Sequence, residues 1–167
     1  MLEEDLKLRI EIEALNAEFA YLIDHDQSEG VADLFTADGV YGRSTGERSE
    51  GREAIRQSYE RRKAHGTRTA RHIFSNLRIT RESETRAHGT VILTLFAQDG
   101  PPPHPAEPMV VADYDDIYER GGDGKWRYKE RLITWLFQRA DARSPLDLGK
   151  SKADGRGLSG PDENSDR

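Results

Sequence analysis

Apolar residues recur at spacings of three and four through the first part of the chain. Residues 2–27 contain no Gly or Pro, and one stripe runs along them: Leu8, Ile12, Leu15, Phe19, Leu22 and Ile23. This spacing predicts one long amphipathic helix. Ser28 can cap a short second helix over residues 29–35, which a turn at residues 36–39 would end.

The pattern changes to that of strands after Gly66. Four segments rich in β-branched and aromatic residues follow, at 67–80, 85–97, 109–120 and 125–137. Short turns after the first and third segments favour antiparallel hairpins. The connection at residues 98–108 contains five prolines, which cannot pair as a ladder, so we expect a stiff loop at a sheet edge or pocket mouth.

Between these regions, we expect a short strand that begins at Val40, a loop at residues 42–51 and a third helix over residues 51–63. Helices followed by long antiparallel strands define an α+β class, in which a curved sheet closed by helices leaves a concavity. We expect one domain over residues 1–140. Residues 141–167 are polar and charged, and we expect a disordered tail there.

Composition excludes several classes of function. The net charge is −6 and basic residues are interspersed with acidic ones, which argues against a nucleic-acid partner. The absence of Cys excludes disulfides, zinc ribbons and thiol nucleophiles, and the five His show no HxxxH spacing, so we expect no metal site. No signal peptide or membrane-length apolar run is evident, and we expect a soluble cytoplasmic protein.

Three segments carry a family resemblance. Residues 23–41, IDHDQSEGVADLFTADGVY, resemble the opening motif of SnoaL-like proteins. Residues 71–79, RHIFSNLRI, are similar to the first long strand of that superfamily, and residues 123–128, DGKWRY, to its turn into the last strand. The resemblance covers about residues 11–137. It implies the NTF2-like, cystatin-like α+β barrel, a cone-shaped curved antiparallel sheet wrapped around N-terminal helices.

The resemblance also implies a catalytic pair. Lyases of the superfamily, such as scytalone dehydratase and the hexachlorocyclohexane dehydrochlorinase, use a carboxylate late in the first helix and a histidine on the first long strand. Asp24 and His72 occupy those positions. A neutral imidazole can remove a proton at neutral pH while a carboxylate fixes its tautomer, so no cofactor is required.

Asp24 and His72 could also have purely structural roles. A carboxylate near a helix end is commonly a solvated surface group, and Asp26 falls nearer the main apolar stripe than Asp24 does. His72 could be a hydrogen-bonded strand histidine. Strict alternation puts His72, Phe74 and Asn76 on one face of the strand and Ile73, Ser75 and Leu77 on the other, without indicating which face is inward.

Substrate-binding candidates are polar or aromatic groups near these positions: Tyr21, Tyr41, Tyr59, Asn76, His104 and Arg131. Asn76 repeats the strand pattern of the superfamily, and His104 could serve as its second active-site histidine. The tyrosines could instead belong to the core. Arg131 could bind a substrate anion if it is buried, or could be an exposed residue beside Lys129.

Three functions remain open. The first is a cofactor-independent lyase or dehydratase acting on a small cyclic or polycyclic hydrophobic substrate. The second is a polyketide cyclase or ketosteroid-type isomerase using the same pair. The third is a non-catalytic small-molecule-binding or assembly subunit, like the β subunits of ring-hydroxylating dioxygenases. We expect a homodimer or homotrimer formed through the open sheet face, where Arg86 and Asp115 alternate with apolar residues.

Overall fold

The computed structural model describes residues 2–142, so most of the predicted tail at 141–167 lies outside the described residues. Helices α1 (Leu2–Asp24) and α2 (Arg52–Lys63) and a 3-10 helix (Ser28–Leu34) accompany six strands. The strands are β1 (Phe35–Arg43), β2 (Arg48–Glu50), β3 (Arg68–Arg81), β4 (Arg86–Asp99), β5 (Val110–Arg120) and β6 (Trp126–Gln138).

The strands form one curved sheet in the order β2-β1-β6-β5-β4-β3. All neighbouring pairs are antiparallel except β1 and β6, which are parallel. The sheet does not close into a barrel, and the helices cover its concave face, which confirms the predicted α+β class. No helix in residues 2–142 is long and apolar enough to span a membrane.

Helix α1 buries the predicted apolar stripe against the sheet. Leu8, Ile12, Leu15, Phe19 and Ile23 are all at most 9% exposed. The helix ends at Asp24, earlier than position 27, because Asp26 adopts a left-handed backbone conformation with a φ of 60°. Ending the helix here leaves the Asp24 side chain directed at β3.

The segment between the 3-10 helix and α2 differs from the prediction. The expected turn at residues 36–39 lies inside β1, where the pairing with β6 shifts register between Phe35 and Val40. The expected loop contains β2. Gly42 permits that hairpin because a Cβ there would lie 2.5 Å from the Glu47 carbonyl oxygen.

A bulge in β3 overturns the strict alternation predicted for that strand. Asn76 has a φ of 55°, and the pairing with β4 shifts between Ser75 and Arg78. His72 and Phe74 therefore point inward, but Asn76 is exposed and Leu77 takes the inward position instead. Gly89 allows the strands to approach here, since a Cβ would lie 2.6 Å from the Arg78 carbonyl oxygen.

Two isoleucines on α1 give a matched test of this packing. Ile12 is 0% exposed and Ile10 is 58% exposed. We expect Ile12→Ala to lower the free energy of unfolding by about 2–5 kcal/mol, through lost burial and a residual cavity. Ile10→Ala should change it by less than about 0.5 kcal/mol. Urea denaturation measures both, and equal losses would contradict the assigned inner face.

Candidate active site

Asp24 and His72 form a two-point contact between the end of α1 and β3. Oδ1 of Asp24 lies 2.6 Å from Nδ1 of His72, and Oδ2 accepts the backbone N–H of His72 at 2.8 Å. Only 6% of the Asp24 side chain and 8% of the His72 side chain are exposed. Because one residue holds both carboxylate oxygens, the position of the carboxylate relative to the ring is fixed.

This contact sets the tautomer of the imidazole. A carboxylate only accepts hydrogen bonds, so the neutral His72 ring carries its proton on Nδ1 and donates it to Asp24. Nε2 then holds the lone pair, and it has no hydrogen-bond partner within residues 2–142. The ring lines an open groove, which makes Nε2 the atom available to take a proton from a bound molecule.

Burial lowers the pKa of His72 below its ordinary value of 6.5, and the Asp24 carboxylate partly offsets this. Desolvation penalises the charged imidazolium, whereas the nearby negative charge favours it. The imidazole is therefore neutral at pH 7, in the form that a general base requires.

The groove beside His72 lies between α1 and β3 and has a volume of about 550 Å³. Its α1 wall contains Asn16, Ala17 and Ala20, and the small alanines leave the space open. Asp24 lines a separate depression of about 240 Å³ with Asp26 and residues at the end of α2. The pair thus forms part of the partition between two surface depressions.

The interior of the cone is filled by Arg131 and a shell of aromatic rings. Arg131 is 0% exposed, and its guanidinium lies 4.1–4.9 Å from the ring centroids of Phe19, Phe74, Tyr114 and Tyr128. These distances are those of cation–π contacts. Of the two alternatives left open for Arg131, the structure has the buried one, because the side chain points into the core.

Polar partners surround the Arg131 charge as well. Its guanidinium donates to Asn16 Oδ1 at 2.7 Å and to the Tyr128 hydroxyl at 2.5 Å. Asp116 Oδ1 lies 3.2 Å from Nε without hydrogen-bond geometry, while its Oδ2 accepts the Tyr118 hydroxyl at 2.8 Å. Burial raises the pKa of Asp116 to about 6 against the opposing effect of Arg131, so both charges persist at pH 7.

Two predicted tyrosines lie in this interior and do not line the groove. The Tyr41 and Tyr114 hydroxyls are 3.5 Å apart, and the Tyr41 ring stacks on that of Tyr59. The buried Tyr59 hydroxyl has no hydrogen-bond partner among the described residues. Burial raises the pKa of Tyr59 and of Tyr114 well above 10, so both stay protonated.

The remaining predicted residues are dispersed. Asn76 lines the groove on its β3 wall. Tyr21 is 49% exposed and stacks on His25, outside the groove lining. His104 lines a different depression of about 170 Å³, beside the proline-rich loop. Asp26 is exposed and pairs with Lys63, so Asp24 alone of the two carboxylates contacts His72.

Asn16 is 4% exposed and lines the groove, although it is not among the site residues predicted from the sequence. The signal was present in the helix, since Asn16, Ala20 and Asp24 are spaced by four and share one face. In the part of the chain that the structure describes, no three His, Asp or Glu side chains converge as a metal site would require.

Residues 4–132 match the SnoaL-like domain family, and the chain belongs to that family. Among curated proteins, no match to the sequence was found. One fold can carry different activities, so membership of the family does not by itself fix the reaction.

Many solved structures share the fold, including these three. A scytalone dehydratase-like protein of Novosphingobium aromaticivorans is 22% identical, with a TM-score of 0.73 over 91% of this chain and 100% of that one. A Catenulispora acidiphila protein in complex with S-DNPA is 22% identical, with a TM-score of 0.60 over 78% and 94%. The β subunit of an aromatic-ring-hydroxylating dioxygenase from N. aromaticivorans is 20% identical, with a TM-score of 0.67 over 81% and 93%.

Burial lowers the pKa of His72 and the Asp24 carboxylate raises it, and titration of a variant can separate these two effects. We expect the His72 ring to titrate below pH 6.5 in nitrogen-detected NMR, and Asp24→Asn to move its midpoint lower still, because the carboxylate favours the imidazolium. A midpoint above 6.5 in the wild type, or one raised by Asp24→Asn, would contradict the assigned balance.

The lowered pKa of His72 also makes the free energy of unfolding depend on pH. Because the folded-state pKa lies below the unfolded one, the neutral imidazole favours folding above about pH 6.5. That contribution is lost as the pH falls through the folded pKa. We expect His72→Gln to reduce the loss of unfolding free energy between pH 7.5 and pH 5, measured by urea denaturation across this range.

Proposed function

We propose that the protein is a cofactor-independent lyase, of the dehydratase type, acting on a small cyclic or polycyclic hydrophobic substrate. The observation that supports this most directly is the Asp24–His72 contact beside a groove large enough for a ring system. His72 is the general base, and Asp24 orients the ring and stabilises the imidazolium.

In the proposed step, Nε2 of His72 removes a proton from a carbon next to an activating group. The electrons of the broken C–H bond form a carbon–carbon double bond, and the leaving group departs with its bonding pair. When that group is hydroxide, the imidazolium returns the proton and water is released. Asp24 accepts a hydrogen bond from His72 on each carboxylate oxygen and takes no part in the proton transfer.

Arg131 has an electrostatic role in this proposal and does not bind a substrate anion. Its guanidinium is buried and already contacts Asp116, Asn16 and Tyr128. A fixed positive charge behind the site favours negative charge that develops on a substrate in the groove. It also disfavours the imidazolium, and it contributes to the lowered pKa of His72.

Cyclisation or isomerisation could use the same Asp24–His72 pair. These reactions would also begin with removal of a proton by His72, but no group would be expelled.

A binding or assembly role is the second candidate, and the packed interior is the observation that favours it. Aromatic rings and Arg131 fill the space inside the cone, so the ligand site is an open groove and not an enclosed chamber. The structural likeness to a dioxygenase β subunit is consistent with this role. A non-catalytic domain, however, has no need of an oriented histidine with a free Nε2.

His72 and His88 provide a matched test of catalysis. Each ring contacts a carboxylate through Nδ1, His72 that of Asp24 and His88 that of Glu82, but His88 is on the surface. With 3-hydroxy-1-tetralone, which loses water to give 1-naphthol, we expect His72→Gln to lower kcat/KM by roughly 10²–10⁴-fold. His88→Gln should retain wild-type turnover.

Fluorescence of 1-naphthol measures the rate directly. Equal turnover in wild type and His72→Gln would remove the proposed mechanism. If the wild-type protein turns over neither this ketone nor a panel of related β-hydroxy ketones and β-halides, the binding or assembly role becomes the better explanation.

Self-association is proposed as part of either function. Leu136 and Phe137 at the end of β6 are 53% and 70% exposed, which is unusual for large apolar residues on neighbouring positions. We expect light scattering to give two or three times the chain mass of 18.9 kDa, and Phe137→Glu to lower it. A wild-type mass of one chain would contradict the proposal.

A further inference from the structure

The amide of Asn16 carries a hydrogen-bond donor that no protein atom uses. Asn16 is 4% exposed, and its Nδ2 has no hydrogen-bond partner within residues 2–142. Unpaired buried donors are uncommon because they lose their hydrogen bonds to water without replacement. The residue lines the same groove as His72.

The orientation of this amide is determined by its neighbours. Arg131 can only donate hydrogen bonds, so the Asn16 atom that it contacts at 2.7 Å must be the oxygen. The Tyr128 hydroxyl donates to the same oxygen at 2.8 Å. Nδ2 is therefore the end of the amide left free. Two donors on Oδ1, one of them charged, also polarise the amide and strengthen Nδ2–H as a donor.

Holding Arg131 in place does not by itself require an amide. An aspartate at position 16 would accept the same two hydrogen bonds and leave no unused donor, but it would place a second buried carboxylate beside a guanidinium that Asp116 already neutralises. The neutral amide avoids that extra charge and leaves Nδ2 as an unused donor. It becomes useful if a ligand in the groove presents an oxygen to Nδ2.

The spacing along α1 fits that use. Asn16 and Asp24 are two helical turns apart, roughly 12 Å at 1.5 Å per residue, with Ala20 midway between them. The His72 ring, which contacts Asp24, lines the same groove as Asn16. A groove bounded by these two residues suits a ring-sized molecule with its oxygen near Asn16 and its reacting C–H near His72.

We propose that Asn16 is a substrate-binding residue whose Nδ2–H donates to an acceptor oxygen, such as a ketone carbonyl, of a ring compound held against His72. The proposal rests on the proposed function to the extent that both use the groove between α1 and β3. It places the recognition of the substrate oxygen on α1. Of the six binding residues predicted from the sequence, Asn76 alone lines this groove, and it lies on β3.

Two isosteric probes test the proposal without turnover. 2-Acetylnaphthalene presents a carbonyl oxygen, whereas 2-isopropenylnaphthalene has a CH₂ group in its place, and neither carries a leaving group. We expect the wild-type protein to bind the ketone roughly tenfold more tightly, the size of one net hydrogen bond of about 1.4 kcal/mol. Fluorescence titration measures both dissociation constants.

Asn16→Asp should abolish this preference while leaving the affinity for the hydrocarbon within twofold. The new carboxylate keeps the contacts to Arg131 and Tyr128 but replaces the Nδ2 donor by an acceptor. Titration at pH 8, far above the ordinary pKa of an aspartate, favours the ionised form, as does the adjacent Arg131 guanidinium. Ala14→Asp adds the same charge at an exposed position of α1 outside the groove lining, with the donor intact, and should retain the preference.

A direct measurement covers the case in which Asn16→Asp does not fold. Asparagine occurs three times, at positions 16, 76 and 164, so selective ¹⁵N labelling gives three side-chain amide signals. The Asn16 signal should move downfield with the ketone and not with the hydrocarbon. Equal affinity for both probes, no binding of either, or an unmoved Asn16 signal overturns the proposal, whatever the turnover of wild type and His72→Gln.

Discussion

A guanidinium without access to water lies at the centre of this fold, and its need for partners constrains the elements around it. Removing one partner of a buried ion pair typically costs about 3–5 kcal/mol, because the remaining charge is left uncompensated. Asp116 on β5, Tyr128 on β6 and Asn16 on α1 all contact Arg131. The charge therefore fixes the position of α1 on the sheet as well as the alignment of two neighbouring strands.

This anchoring determines the geometry of the candidate active site. Helix α1 is tied to β6 at Asn16 and to β3 at Asp24, two points on the same face of the helix. With both ends of that segment held, the groove between them keeps its width, and the Asp24 carboxylate stays aligned with the His72 ring. A site held from two sides loses little freedom when a ligand binds, which is the condition for effective positioning.

Much of this arrangement could be predicted from the sequence, because it rests on local patterns. The apolar stripe of α1 identified the buried face, and the strand pattern identified the long hairpins. The position of Asp24 and His72 in motifs of the family predicted a pair that the geometry does bring together. The bulge at Asn76 could not be predicted, since a left-handed residue within a strand depends on the pairing with β4, whose register shifts between Ser75 and Arg78.

The roles of Arg131 and Asn16 could not be predicted from local sequence patterns. Alternation along β6 left the arginine either buried or exposed, because a charged residue is placed inside only when distant partners neutralise it. Asn16 interrupts an apolar stripe, which in isolation indicates an imperfect core position. Its meaning depends on Arg131, which lies more than a hundred residues later in the chain. Buried polar networks are defined by contacts between such distant positions, so the face that Asn16 shares with Asp24 marks a candidate position without revealing its partners.

The filled interior limits the chemistry that this cone can perform. Tyr114, Tyr128 and Phe19 occupy the space around Arg131 that an enclosed ligand would need. A ligand must therefore approach His72 through the groove, partly in contact with water. Water weakens the electrostatic help that a fixed charge gives to a developing anion, because the local dielectric is higher than in a closed chamber. Catalysis here would depend more on the oriented base than on the charge behind it, which favours substrates whose C–H bond is already activated by a neighbouring carbonyl.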